Sequence, residues 1–471
     1  MRRLRVLLAG LALAAIGAAA TAQEALRPDQ QSFRALYKEL VETNTSLSAG
    51  SCTLAAERMA AHLKAAGYAD ADLTLFSVPD HPKEGGLVAV LPGTDPKARA
   101  ILLLAHIDVV EAHREDWQRD PFTLVEENGF FYARGSSDDK AMAAIFTDAM
   151  VRLKGEPRLK GTVKLALTCG EETEGAFNGA NWLAQNRRSL IDAAFALNEG
   201  GGGRIGEDGK PQFLSIQVAE KTYQDFTVEA RNPGGHSSVP RPDNAIYQLA
   251  DALEKVRGHT FPVHLNPVTQ AFFAKTAKLS TTPAPIAAAM AAIAAHPDDA
   301  EAAATLSRDP VYNSTLRTTC VATLLEGGHA QNALPQRATA NINCRIVPGE
   351  TIEETQAALV AAIGDPAVTV TAKPRTGPIP HAAALDPAVV GPAESLGAEM
   401  FPGLPLIPVM STGASDSIYV SGVGIPSYGV PGILHEADGA GVHGLNEHIR
   451  VSALYKGRDY LYRLIKLYAS R

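Results

Sequence analysis

Residues 100–108 read Ala-Ile-Leu-Leu-Leu-Ala-His-Ile-Asp. A short, unbroken apolar run cannot alternate between core and solvent, so it predicts a strand buried on both faces, as in the middle of a parallel sheet. The run ends in His106 and Asp108, polar groups at the carboxyl end of a strand, which is where open α/β sheets gather their ligands.

Working outward, Leu87 to Leu91, Thr162 to Thr168 and Ala193 to Leu197 are further strand-like runs, and Asp139 to Leu153 has helical periodicity. A helical pattern from about Gln30 to Gly67 precedes them. The alternation predicts an α/β fold, a mostly parallel sheet with helices on both faces. From Lys221 the rhythm changes to strand, helix, two strands, helix and strand, ending with Val368 to Ala372. That order predicts an inserted ferredoxin-like α+β lid domain. The expected division is therefore a catalytic domain over 23–220 and 377–471, interrupted by a lid or dimerisation domain over 221–376. The Ala-rich stretch Pro283 to Leu306 is expected to form one or two solvent-facing helices within the insertion.

Composition narrows the class. With 471 residues, 46% apolar and 20% charged, the chain is globular rather than fibrous or disordered. A net charge of -8 with no basic stripe argues against nucleic acid as a partner. Arg2, Arg3 and Arg5 precede an apolar run from Val6 to Ala20, and Ala20-Thr21-Ala22 offers a small-residue cleavage site. Residues 1–22 thus predict a signal peptide and a periplasmic or secreted protein; the run is shorter than the roughly 20 residues of a spanning helix. No stable membrane insertion is expected once it is removed. The four cysteines are too few and scattered for a disulfide scaffold and include no CxxC pair, but Cys320 and Cys344 lie on neighbouring strand-like segments and are the expected bridge.

Five polar clusters carry chemistry: His106-Ile-Asp108, Gly135-Ser-Ser-Asp138-Asp139-Lys140, Cys169-Gly-Glu171-Glu172-Thr-Glu174, Leu197-Asn-Glu199-Gly200 and Val442-His443-Gly-Leu-Asn-Glu447. Residues two apart on a strand share a face, so Asp108 can accept the second ring N–H of His106. Carboxylates crowded at strand ends repel unless a cation is present. Mixed imidazole and carboxylate donors suit Zn2+, with Mn2+ or Co2+ as substitutes, and the number of donors implies two ions. Gly413-Ala-Ser415-Asp-Ser417 lacks the final glycine of a serine nucleophile elbow and reads as a substrate loop.

The motifs HIDVV, GSSDDK, CGEETEG, LNEGGG, NPGGHSSVP and VHGLNE, in this order and approximate spacing, resemble the M20 family of zinc-dependent peptidases and deacylases over nearly the whole chain. The LNEGGG and VHGLNE forms look most like its carboxypeptidase S and aminoacylase branch. The resemblance implies that His106 and Glu199 bind one zinc, Glu172 and His443 the other, and Asp138 bridges both. It further implies that Asp108 orients His106, Glu171 is the general base, and the Asp138-Asp139 peptide is cis. His236 would donate to the oxyanion, and Arg345 with Asn332 would hold the substrate's carboxylate and carbonyl region. His435 and His448 flank His443 and compete with it; the HG-x-NE context favours His443. In dimeric relatives the equivalent of His236 comes from a second subunit, and the Ala-rich insertion points to a single-chain arrangement here. The expectation is an exported di-zinc hydrolase of a peptide or N-acyl-amino-acid bond, a carboxypeptidase or dipeptidase, acting as a monomer or homodimer. The competing readings are a succinyl-diaminopimelate or acetylornithine type deacylase, disfavoured by the signal peptide, and a non-catalytic two-domain binding protein.

Overall fold

The computed structural model describes residues 26–173, 175–375 and 377–471; the expected signal peptide lies outside them. The strand Ile101–His106 is buried along its whole length. Its odd residues Ile101, Leu103 and Ala105 join one hydrophobic cluster, and Leu102 and Leu104 join another on the opposite face. That split is the direct reason for the unbroken apolar run.

Among the described residues, nine strands form the main sheet, in the order Leu73–Val78, His81–Leu91, Val163–Thr168, Ile101–His106, Phe195–Asn198, Ser427–Gly429, Pro211–Glu220 and Leu406–Ser411, with Gly202–Ile205 pairing Pro211–Glu220 off that path. Val163–Thr168, Ile101–His106, Phe195–Asn198 and Ser427–Gly429 are mutually parallel. Their carboxyl ends therefore lie along one edge. The helices Pro28–Glu42, Cys52–Ala65, Lys140–Lys154 and Val451–Ala469 pack on one face, burying Tyr37, Leu40, Met59, Phe146 and Leu461. Gly179–Asn186 and Ser417–Gly422 cover the other through Leu183 and Val420.

Lys221 alone separates the main-sheet strand Pro211–Glu220 from the first lid strand, Thr222–Arg231. The lid sheet is antiparallel, ordered Thr319–Gly327, Arg337–Ile346, Thr222–Arg231 and Val368–Ala372. The helices Ala245–Gly258 and Ile352–Ile363 complete its core with Phe226, Leu249, Ile342 and Leu359. This is the ferredoxin-like order.

The Ala-rich stretch corrects one expectation. Its helices, Ala284–Ala295 and Ala300–Leu306, are packed rather than solvent-facing. Met290, Ile293 and Leu306 are fully buried against Phe273 of the helix Pro267–Thr276. That helix in turn meets the edge strand Leu406–Ser411, where Lys275 Nζ donates to the Leu406 carbonyl at 2.9 Å. Alanines let the helices approach closely, so a sequence of low complexity still encloses a core.

Both cysteine pairs form disulfides. Cys320 and Cys344 are register partners on adjacent lid strands, as expected. Cys52–Cys169 was not foreseen, because its 117-residue separation is closed only when the helix Cys52–Ala65 packs on the sheet. No helix among the described residues is long and apolar enough to cross a membrane.

Candidate metal centre

His106 is the last residue of its strand, and its side chain is 1% exposed. Nδ1 lies 3.6 Å from Asp108 Oδ1, and Asp108 Oδ2 accepts the Glu172 backbone N–H at 3.0 Å. One carboxylate thereby links the first and third clusters. On the other side of the ring, His106 Nε2 is 3.1 Å from Asp138 Oδ1 and 3.7 Å from Glu199 Oε1.

The second oxygen of Asp138 faces a different histidine. Oδ2 lies 3.3 Å from His443 Nε2, which is also 2.7 Å from Glu172 Oε2. Asp138 thus stands between two donor sets, His106 with Glu199 and His443 with Glu172. Potential ligand atoms of His106, Asp138 and Glu172 lie within 4.8 Å of one another, as do those of His106, Glu171 and Glu199. The peptide Asp138–Asp139 is cis, as the resemblance implied.

The turn carrying Asp138 is held by Glu447, the last residue of the VHGLNE motif. Glu447 is fully buried and accepts from Arg134 Nη1 at 2.9 Å, and from the backbone N–H groups of Gly135, Ser137 and Asp138 at 2.9, 2.8 and 2.9 Å. Gly135, at φ 79°, is required there: a Cβ would come within 2.7 Å of Val109 Cγ1. Asp416, in the loop that follows the strand Leu406–Ser411, is a second buried brace. It is buried and accepts from Thr168 Oγ1 at 2.9 Å and Asn178 Nδ2 at 2.7 Å, bracing the Cys169–Asn178 loop from behind. The only sequence signal for either was a charged residue inside a Gly-rich motif.

The electrostatics fit a cation site. Burial pushes the Glu171 and Glu199 carboxyls well above their usual range, beyond what the His106 charge offsets. Burial raises Asp139 as well. Asp138 moves the other way: burial opposes ionisation, but hydrogen bonding to His106 and His443 holds it below the carboxylate range. Hydrogen bonds to Asp138 and Glu172 raise His443 to about 10. Asp138, Glu171, Glu172 and Glu199 compete for the positive charge of two imidazoles, and divalent cations between them would satisfy both sets. The residues present therefore fit a dinuclear metal centre.

Of the rival histidines, His435 is pushed down by burial, and its backbone bonds to Gly203 and Ile205. His448 packs against Phe130 and Tyr132. His443 is the one with contacts to Asp138 and Glu172.

The lid residues divide. Arg345 pairs in register with Tyr223, two residues from Lys221, and its guanidinium lies 4.6 Å from the Tyr223 ring centroid. His236 and Asn332 lie beyond the far end of the same strand pair, where Arg231 meets Arg337. His236 is exposed, with Nδ1 accepting the Ser238 N–H at 3.1 Å, and Ser237 N donates to the Asn332 carbonyl. At about 3.3 Å per residue the intervening strand is on the order of 25 Å long, so Arg345 and His236 occupy opposite ends of the lid.

Comparison with known proteins agrees with this architecture. The model of peptidase family M20/M25/M40 matches residues 102–467. Human N-fatty-acyl-amino acid synthase/hydrolase PM20D1 is 28% identical over 398 residues, covering 80% of this chain and 75% of that protein. Rat aminoacylase-1A is 26% identical over 403 residues, covering 82% and 84%. The crystal structure of an M20 family metallo-carboxypeptidase from Sulfolobus solfataricus superposes with a TM-score of 0.67 at 19% identity, covering 94% of this chain and 100% of that one, which shows a shared fold. The shared fold and the matched family define a metallohydrolase. The chain belongs to peptidase family M20/M25/M40, and it is an enzyme.

Proposed function

We propose that this protein is an exported di-zinc amidohydrolase that cleaves a peptide or N-acyl-amino-acid amide bond, as a carboxypeptidase or dipeptidase. The observation that carries the reading is the division of Asp138, one oxygen toward His106 and the other toward His443, with Glu171 beside them. His106, Asp138 and Glu199 would hold one ion, and Asp138, Glu172 and His443 the other. When bound, such a pair polarises the scissile carbonyl and acidifies water at the site.

The chain's own residues supply the rest. Glu171 takes the proton of the attacking water and passes it to the leaving amine, its carboxylate lying within reach of both His106 and Glu199. Asp108 holds His106 through Nδ1, which lies 3.2 Å from the Asp108 backbone carbonyl oxygen and 3.6 Å from its carboxylate, and so fixes which ring nitrogen faces Asp138. Arg345 grips a substrate carboxylate through paired N–H bonds. His236 donates to the oxyanion, with Asn332 beside it. Because Arg345 sits at the Lys221 end of the lid and His236 at the far end, the lid geometry supports donation from a second copy of the chain rather than the single-chain arrangement expected from the insertion.

Cleavage of N-acyl amino acids is the second reading, favoured by the names of the human and rat relatives. The purified protein, assayed for bound metal and against parallel panels of dipeptides and N-acyl amino acids, tests both. Peptide turnover with no acyl-amino-acid turnover supports the first reading, and the reverse the second. Turnover of neither by a metal-loaded protein would overturn the proposal.

A further inference from the structure

The strand Val163–Thr168 runs directly into Cys169, Gly170, Glu171 and Glu172, so two acidic side chains of the metal centre hang from one short turn. Gly170 gives that turn no stiffness of its own: it sits at φ 90°, and a Cβ there would fall 1.7 Å from the Phe177 carbonyl oxygen. Hydrogen bonds among the described residues hold it. The Cys169 carbonyl accepts from Gly179 N at 2.7 Å, the Gly170 carbonyl from Asn178 Nδ2 at 3.0 Å, and Glu172 N donates to Asp108 at 3.0 Å.

The covalent hold is the disulfide from Cys169 to Cys52. Cys52 opens the helix Cys52–Ala65, which Ser51 caps through Leu54 N and whose Ala55, Ala56, Met59 and Leu63 are fully buried. The bond thus fastens the catalytic turn to a helix whose inner face is buried in the main core. Beside it lies a cavity of about 170 Å3, lined by both cysteines, Thr45, Asp108 and the exposed Leu47 and Lys83. Thr45 Oγ1, in its wall, has no hydrogen-bond partner.

We propose that the Cys52–Cys169 disulfide is a redox-sensitive tether of the catalytic turn: a small dithiol entering by this cavity opens it, and hydrolysis falls because Glu171 and Glu172 lose their fixed position. The inference rests on the roles given to those two glutamates above. One thiolate of the reductant attacks a sulfur of the pair, forming a mixed disulfide and releasing the other cysteine as a thiolate that takes up a proton. The second thiol of the reductant then displaces the remaining cysteine. The protein gains two electrons and two protons, and the dithiol leaves as a cyclic disulfide. Cys52 and Cys169 are positioning residues, since neither touches substrate.

The lid disulfide is the internal comparison. Cys320 and Cys344 join strands already paired along their length, remote in sequence from the catalytic turn. Opening that bond leaves Glu171 and Glu172 where they are.

The test uses the full metal-loaded protein, oxidised, reduced with dithiothreitol, and reoxidised, with free thiols counted in each state. Reduction is expected to lower kcat roughly 10- to 100-fold with KM nearly unchanged, the scale of loss for a displacement of about 1 Å at the reacting centre. It should also quicken release of metal to a chelator, and reoxidation should restore both. A Cys320→Ala/Cys344→Ala protein is expected to keep this response, and a Cys52→Ala/Cys169→Ala protein to start low and ignore the reductant. If that last variant fails to fold, reduction and reoxidation of the lid-disulfide variant alone decides. Unchanged kcat and metal release with Cys52 and Cys169 shown to be reduced would overturn the tether while leaving the proposed function intact. An oxidised protein that binds metal but hydrolyses nothing would overturn both.

Discussion

Nε2 of His443 lies 2.7 Å from Oε2 of Glu172, bringing a loop near the carboxyl terminus onto the turn that follows the strand Val163–Thr168. The pair completes one half of a site whose other half is His106 with Glu199, and Asp138 stands between the halves.

Asp138 is therefore the residue whose loss should affect both halves. Asp138→Ala is expected to retain fewer than two metal ions per chain and to abolish hydrolysis. Elemental analysis of the purified variant, at matched metal supply, checks it. Two ions per chain would remove the bridging role.

Glu447 should matter without touching a ligand side chain. Its carboxylate is the acceptor for Arg134 and three backbone N–H groups of the turn bearing Asp138. Glu447→Ala leaves those donors unpaired in a buried site, and breaking a buried charge pair costs about 3 to 5 kcal/mol. A melting temperature lower by many degrees, with weaker metal retention, is the expected outcome. A variant as stable as the parent would show that water replaces the carboxylate at no cost.

Glu220 gives a pH dependence independent of the metal ligands. Burial raises its pKa to about 7, outweighing hydrogen bonds from Ser415 and Gln217. The unfolded value is lower, so between about pH 4.5 and 7 the folded state binds more protons than the unfolded state. The contribution of Glu220 is then greatest in acid and declines as pH rises through this window, by on the order of 3 kcal/mol in total. Denaturant unfolding from pH 5 to 8 should show the parent losing stability relative to Glu220→Gln. Parallel curves for the two proteins would mean that Glu220 is ionised throughout.

Much of this site was legible before any coordinates. His106 and Asp108 were a weak signal alone, since two polar residues after a buried strand arise by chance, and gained weight only beside the other four clusters. The candidate ligands were implied by the order of the motifs, and the fold brings His106, Asp138, Glu172, Glu199 and His443 close together. What stayed hidden depends on tertiary closure. The bond between Cys52 and Cys169 exists only because a helix from the start of the domain lies over the sheet. The burial of Met290 and Ile293 could not be read from a run of alanines, since small residues look alike on a packed and a solvated helix. The tasks of Glu447 and Asp416 are hydrogen bonds to backbone and side chains far away in sequence, and spacing carries no trace of them.

The lid makes a separable claim. If His236 serves a second copy, mixing an inactive Glu171→Ala protein with an inactive His236→Ala protein should recover activity after subunit exchange. No recovery, with exchange shown by differently tagged chains, would place donor and acceptor in one chain. Full activity of His236→Ala by itself would end the catalytic role.

The central claim is that two metal ions and a separate proton carrier perform the hydrolysis, and it is most directly tested by one variant measured in two ways. Glu171→Gln removes the proton acceptor while leaving His106, Asp138, Glu172, Glu199 and His443 in place. It is expected to bind two ions per chain, melt close to the parent, and lose roughly 10²- to 10⁴-fold in kcat. Parental kcat in the metal-loaded variant would contradict the account.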